Sequence, residues 1–370
     1  MKQILPLIAT LLLTTFTLTA DDYKATHQKN INQETDIKNA YKLISDILIK
    51  EKKTSTKKEL TFADVSILLE PTISSTINTS VYAKDVIVSK NGNFAYIADS
   101  RSGLQIADLK SGKIVHSVDT PGSALNLAIS SDEKYIFIAD KDFGLQVVDI
   151  KTPKDAKIIG SLKTSSEVKS ISLSKSGNIL FMANDDAGIM LVNLIDKKNP
   201  IILKTLKTDG YAEAITISND NRYAFIATGA FGLQIINIQN ISYPHTISKI
   251  DTPGYAQGVT ISKDAKYAFI ADDKEGVQII DLNNIYSPKI ISSLKTKSKT
   301  TNITLSKSGK YAYISDYESG IRVVDISKIR HPKLLNTLDT KSFAENITLS
   351  NEENKAYVAD GWEGLVIVDI

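Results

Sequence analysis

The chain has 370 residues, 42% of them apolar, enough to bury one large core or two smaller ones. Its 44 Lys and Arg nearly balance 42 Asp and Glu, so the net charge is +2 and nothing resembles the basic stripe that nucleic-acid binding needs. Cys is absent, which excludes disulfides, thiolate metal sites, Fe–S clusters, Cys nucleophiles and a lipid-modified N-terminal Cys together.

Residues 1–20 read as an address rather than a fold. Lys2 supplies a positive charge, an apolar stretch runs from Ile4 to Leu18, and small residues through Ala20 precede Asp21 and Asp22. That order predicts a secretory signal peptide, since the stretch is short for a membrane span and broken by Pro6. No later segment approaches the length of a membrane helix, so export without a span in the mature chain is expected. Residues 21–60 form a polar linker. Within it Ile37, Ala40, Tyr41, Ile44, Ile47 and Leu48 recur at helical spacing and predict one amphipathic helix over 34–50.

Residues 61–370 are expected to form one repeat domain. Phe94–Asp99 is followed by Gly103–Asp108, and the same pair of phrases returns at Tyr135 with Gly144, and at Tyr223, Tyr267, Tyr311 and Lys355. A weaker copy surrounds Gly188. The glycines fall at 103, 144, 188, 232, 276, 320 and 364, separated by 41 and then by 44 five times. Each unit reads as four short strands: in the fifth, Val259–Ser262, Tyr267–Ala271, Val277–Leu282 and Ile290–Leu294 are divided by Gly, Asp, Asn and Pro. Four strands in roughly 40–45 residues make a propeller blade, so an all-β, seven-bladed β-propeller of four-stranded blades is predicted.

The final unit stops at Ile370 after its third strand. Pro71–Thr79 matches Pro288–Thr296 position by position, so residues 72–78 are expected to supply the missing outer strand and close the ring, leaving no half-blade edge. A monomer is expected. Phe62-Ala-Asp-Val65 also resembles the end of a third strand and competes with Val368-Asp-Ile370 for one place.

The third strands, Leu365-Val-Ile-Val-Asp369, Leu145-Gln-Val-Val-Asp149 and Ile321-Arg-Val-Val-Asp325, resemble those of the LVIVD-repeat family of bacterial and archaeal exported or surface proteins. The resemblance covers residues 62–370 and implies a β-propeller and export. It implies little about activity, because that family shares no catalytic motif. No Trp-Asp dipeptide occurs, so WD40-type repeats match less well.

The most repeated polar residue follows the second strand: Asp99, Asp140, Asn184, Asp272, Asp316 and Asp360, with Thr228 as the exception. Such a ring could line a metal channel. The local alternative, an Asp opening a tight turn closed by a positive-φ Gly four residues on, fits every acidic copy. Asp108, Asp149, Asn193, Asn237, Asp281, Asp325 and Asp369 end the third strands and read the same way. His27, His116, His245 and His331 lie in the linker and in different blades and cannot converge on one metal. No nucleophile elbow or phosphate loop appears, so no catalytic residue, metal or cofactor is expected.

The loops between second and third strands share one propeller face with the loops leading into first strands. They hold Phe143, Phe231, Tyr317 and Trp362 in the one set and Tyr82, Tyr211, Tyr255 and Phe343 in the other, where polar turn residues are usual. These eight rings, flanked by Arg101, Lys141, Asp186, Lys274, Glu275, Glu318 and Glu363, are candidates for a partner-binding face at the channel mouth. Packing of blade against blade is the plainer alternative. The turns of the opposite face, such as Ser89–Asn93, read as turn chemistry and little else. The expectation is an exported interaction module for a protein or glycan, with a propeller enzyme or a purely structural surface protein as alternatives.

Overall fold

The computed structural model describes residues 70–370. The signal peptide, the 34–50 helix and Phe62–Val65 lie outside the described residues. Among the described residues, twenty-eight strands form seven four-stranded antiparallel sheets. Blades 1 to 6 each use four consecutive strands; in blade 1 these are Asp85–Val88, Phe94–Ala98, Leu104–Asp108 and Lys113–Val118, from the channel outward. In blade 7, Ala344–Leu349, Lys355–Asp360 and Leu365–Asp369 are followed outward by Thr72–Ile77, from the other end of the described chain. Thr72 stands opposite Asp369 and Ile77 opposite Leu365. Among the described residues, no helix is long and apolar enough to cross a membrane.

The second and third strands are nearly continuous in apolar residues because both of their faces are covered. In Phe94–Ala98 the period of two sends Ala95 and Ile97 toward blade 7 and Tyr96 and Ala98 toward blade 2. Seven apolar clusters result, one between each pair of neighbours; Leu104 and Ile106 of blade 1, for example, meet Leu127, Ile136 and Ile138 of blade 2. The cluster between blades 7 and 1 joins Ile77, Tyr357 and Leu365 to Val86 and Ile97, so the outer strand from residues 72–77 helps fill it. Every pairing between third and fourth strands carries one irregularity, such as that between Ile106 and Ala107. A bulge raises local twist and blunts the exposed edge against pairing with another chain.

The two faces are also stitched. On the upper face, each turn after a second strand makes one antiparallel bridge to the loop leading into the next blade, as in Ser100–Ala124 and, across the ring closure, Gly361–Ala83. The lower turns do more than the sequence suggested. Lys90 N donates to Glu133 Oε1 of the next blade at 2.8 Å, and Lys175 N to Asn221 Oδ1 at 2.9 Å, so these turns also couple neighbouring blades.

Candidate functional site: the upper loop face and the channel

The repeated aspartates latch loops together. Asp140 is fully buried and accepts from Thr120 Oγ1 at 2.7 Å and Gly122 N at 3.0 Å; Asp99 accepts from Thr79 Oγ1, Ser80 N and Val81 N. Asp272 and Asp360 do likewise with Thr252 and Thr340. The Thr and backbone N–H partners therefore lie 18–20 residues upstream, in the loop arriving from the previous blade, and not in the Asp's own turn as the sequence suggested; Asp140 also accepts from Gln146 Nε2 of its own third strand at 3.2 Å. Burial pushes these carboxyls up, against the hydrogen bonds that lower them. The third-strand aspartates do make local turns: Asp149 Oδ1 accepts from Lys151 N at 3.0 Å. Glycine at 144 combines φ +78° with a site where a Cβ would collide with the Leu162 carbonyl of the outer strand.

Four of the eight candidate rings come together where blades 6, 7 and 1 meet. Tyr317 stacks on Phe343 at 4.5 Å between centroids, Phe343 lies 6.3 Å from Tyr82, and Trp362 meets Tyr82 edge-on at 4.9 Å. Gly361 makes room: a Cβ there would stand 3.1 Å from the Tyr82 ring. Tyr82 Oη donates to Glu345 Oε1 at 2.8 Å, Lys84 Nζ pairs with the same oxygen at 2.7 Å, and the Lys84 ammonium lies 4.6 Å from the Tyr82 ring. Burial, then Tyr317 and Glu345, holds the Tyr82 hydroxyl well above its ordinary range, so it remains a donor. Trp362 is 64% exposed, an apolar plate on a polar-rimmed surface.

A second station surrounds Glu213. Tyr255 Oη donates to its Oε1 at 2.6 Å, and Lys169 bridges Glu213 and Asp185, each at 2.9 Å. Tyr255 lies over Gly229 as Tyr82 lies over Gly361. Tyr211 is exposed beside Lys169, 5.9 Å from its ammonium. Phe143 and Phe231 join neither group; each is about half exposed and rests on a loop glycine, Gly122 and Gly210 respectively.

The channel carries a feature that the sequence reading missed. One place in the inner strand is held in turn by Asp85, Asn126, Ser170, Ala214, Gly258, Asn302 and Asn346, each paired with the last residue of its second strand or that residue's equivalent. The inner strand has no further strand beside it, so its inward N–H groups need other acceptors. Asp85 Oδ2 accepts from Leu127 N at 2.8 Å and Asn126 Nδ2 at 2.7 Å, and Oδ1 from Val86 N at 2.8 Å. Asn126 Oδ1 in turn accepts from Ile171 N at 2.9 Å. Asp85 is the one ionisable residue of the seven, and aligning the inner strands by repeat would have exposed it. A cavity of about 430 Å³ is lined by Asp85, Asn126, Thr260, Asn302, Asn346 and Thr348, and also by the charged pair Lys307 and Glu353.

Among the described residues no three His, Cys, Asp or Glu side chains gather in a metal-binding group. His116 Nε2 lies 2.9 Å from the Ala156 carbonyl at the rim, and His245 and His331 belong to other blades.

Solved structures share the architecture. The chain is similar to the Cps50 (Swd1) β-propeller domain of Myceliophteria thermophila at 14% identity and a TM-score of 0.67, covering 81% of this chain and 99% of that one. It is similar to hydrazine synthase of Kuenenia stuttgartiensis at 14% identity and a TM-score of 0.66, covering 80% and 98%. For U3-55K the values are 11%, 0.67, 81% and 98%. At such identities the likeness shows the fold alone, and an enzyme stands among these neighbours, so the fold leaves activity open. No curated protein sequence matches the chain. The model of the LVIVD repeat matches residues 81–113, 121–164, 209–252, 253–296, 299–340 and 344–370, passing over blade 3, which nevertheless forms the same four strands. With well over half of its length matched, the chain belongs to the LVIVD-repeat family.

Proposed function

We propose that this propeller is an exported interaction module that takes a protein or glycan partner on its upper loop face. The observation that carries the reading is the ring cluster of Tyr82, Tyr317, Phe343 and Trp362, with Trp362 left 64% exposed beside the polar Glu345–Lys84 pair. Aromatic anchors inside a polar rim are what interfaces share, and β-propellers are common scaffolds for protein interaction. The rings of Tyr82, Tyr317 and Phe343 also brace blades 6, 7 and 1, whereas the outer face of Trp362 braces nothing in the described chain. Export rests on the order of residues in 1–20.

The test is capture from the host's own extracytoplasmic fraction by the full chain, compared with Trp362→Ala and with the triple change Trp362→Ala, Tyr211→Ala and Phe231→Ala. All three rings are about half exposed or more, so the melt should hold within about 2 °C of the parent, as surface changes usually cost under about 0.5 kcal/mol. Partner yield should fall at least tenfold. Undiminished capture by the triple variant removes the upper face from consideration.

A further inference from the structure

We propose that the channel beside Asp85 is a binding site for a small organic cation bearing a primary ammonium group. This site is separate from the aromatic loop face and does not depend on it.

Asp85 is 3% exposed, yet its charge exceeds what the fold asks of that place. The fold asks for an acceptor facing the next blade's inner strand. Asn126 meets that need with a neutral amide, and Ala214 and Gly258 occupy the same place with no side-chain acceptor at all. A carboxylate taken out of water costs several kcal/mol unless a cation or enough donors meet it, so a surplus one in a cavity points to a missing positive partner. Three N–H groups face Asp85, and none is cationic. Burial pushes its carboxyl up to about 7, opposed only by those three hydrogen bonds; no charged neighbour contributes. Lys84, the adjacent residue, spends its ammonium on Glu345 at the channel mouth.

The rest of the wall selects the class of cation. Asn126, Asn302 and Asn346 supply amides and Thr260, Thr304 and Thr348 hydroxyls along the same cavity. Lys307 and Glu353 also line the cavity, but they meet each other and the chain nearby: Lys307 N donates to Glu353 Oε1 and its Nζ to the Asn351 carbonyl. Beside Asp85 the acceptors are amides and hydroxyls, which with its carboxylate suit the three N–H donors of an ammonium. Hard metal ions gather about six or more oxygens, commonly with several carboxylates, and the described residues hold no such group. The volume, about 430 Å³, is within the usual range of about 300–1,000 Å³ for small-molecule sites. Ile87 and Val259 on the wall leave room for a short apolar stem.

The experiment titrates the full chain with n-butylammonium chloride by calorimetry at pH 8, with butan-1-ol and calcium chloride as comparison probes. A saturable isotherm for butylammonium, none for butanol, and at least a tenfold loss of affinity in Asp85→Asn are expected. Asn126 at the equivalent place shows that the fold accepts this side chain. Should Asp85→Asn not fold, the decision passes to Asn346→Leu, which removes an acceptor from the wall without touching Asp85 and should weaken binding several-fold. Equal binding by the variant, equal binding of butanol, or calcium binding in place of butylammonium would each overturn the proposal. An Asp85 that serves only the backbone predicts no butylammonium isotherm at all, and that outcome overturns it too.

Discussion

Replacing Asp85 by Asn should change stability in a way that depends on pH, and the sign follows from the direction of its titration. In the folded protein burial raises the carboxyl from 3.8 to about 7. The folded state therefore holds its proton more tightly than the unfolded chain. The stability this confers is fully present below about pH 3.8 and is lost as pH rises through about 7. At about 1.4 kcal/mol for each tenfold change in proton affinity, the penalty at pH 8 reaches about 4 kcal/mol. Asn carries no such penalty. It still offers one oxygen to Leu127 N and Asn126 Nδ2, but turns an N–H toward Val86 N and forfeits about 1 kcal/mol of hydrogen bonding. The net expectation is about 3 kcal/mol of stabilisation at pH 8 and about 1 kcal/mol of destabilisation near pH 4. A domain of about 300 residues has an unfolding entropy near 0.6 kcal/mol/K, so the melting temperature should rise by about 5 °C at pH 8 and fall by about 2 °C near pH 4. Calorimetric melts of both proteins in ligand-free buffer from pH 4 to 8 provide the comparison, and taking their difference cancels the other buried aspartates. A difference that stays flat with pH, or a variant less stable at pH 8, would refute the account of Asp85 as a penalised charge.

Other expectations bear on the closure, the turns and the latches. Ile77→Ala, at a side chain 4% exposed in the core between blades 7 and 1, should cost about 2–5 kcal/mol by denaturant melt, while Ile73→Ala on the same strand, at a residue 37% exposed, should cost under about 1 kcal/mol. Equal small effects would mean that residues 72–77 do not close the ring. Gly144→Ala should destabilise by at least about 2 kcal/mol, because a Cβ meets the Leu162 carbonyl, whereas Gly177→Ala meets open space and should cost only about 1 kcal/mol for its positive φ. Asp140→Ala strands the buried Thr120 hydroxyl and Gly122 N–H and should cost about 2–4 kcal/mol, against under about 1 kcal/mol for Asp149→Ala in its local turn. Similar losses at the two aspartates would show that the loop latch adds nothing beyond a turn.

The chain's own pattern determined the blade. A repeat of 44 residues with apolar runs between Gly and Asp specifies four strands and their turns, because strand identity and turn chemistry are local properties. The strand boundaries read from the fifth unit differ from the observed ones by a residue at most: Val259–Ser262 is Gly258–Ile261, and Val277–Leu282 is Val277–Asp281. What lies between blades was beyond that reach. The repeated Asp of these turns was legible as structural, but its partners 18–20 residues upstream were not, since the loop's path depends on how one blade packs on the next. The eight rings were legible as loop residues. That four would gather while Phe143 and Phe231 stand apart was decided by closure, which brings Tyr82 to Glu345 across 263 residues of chain. Asp85 shows the same limit: the sequence records one carboxylate in an inner strand, and only the ring of seven strands turns it into a buried charge facing a cavity.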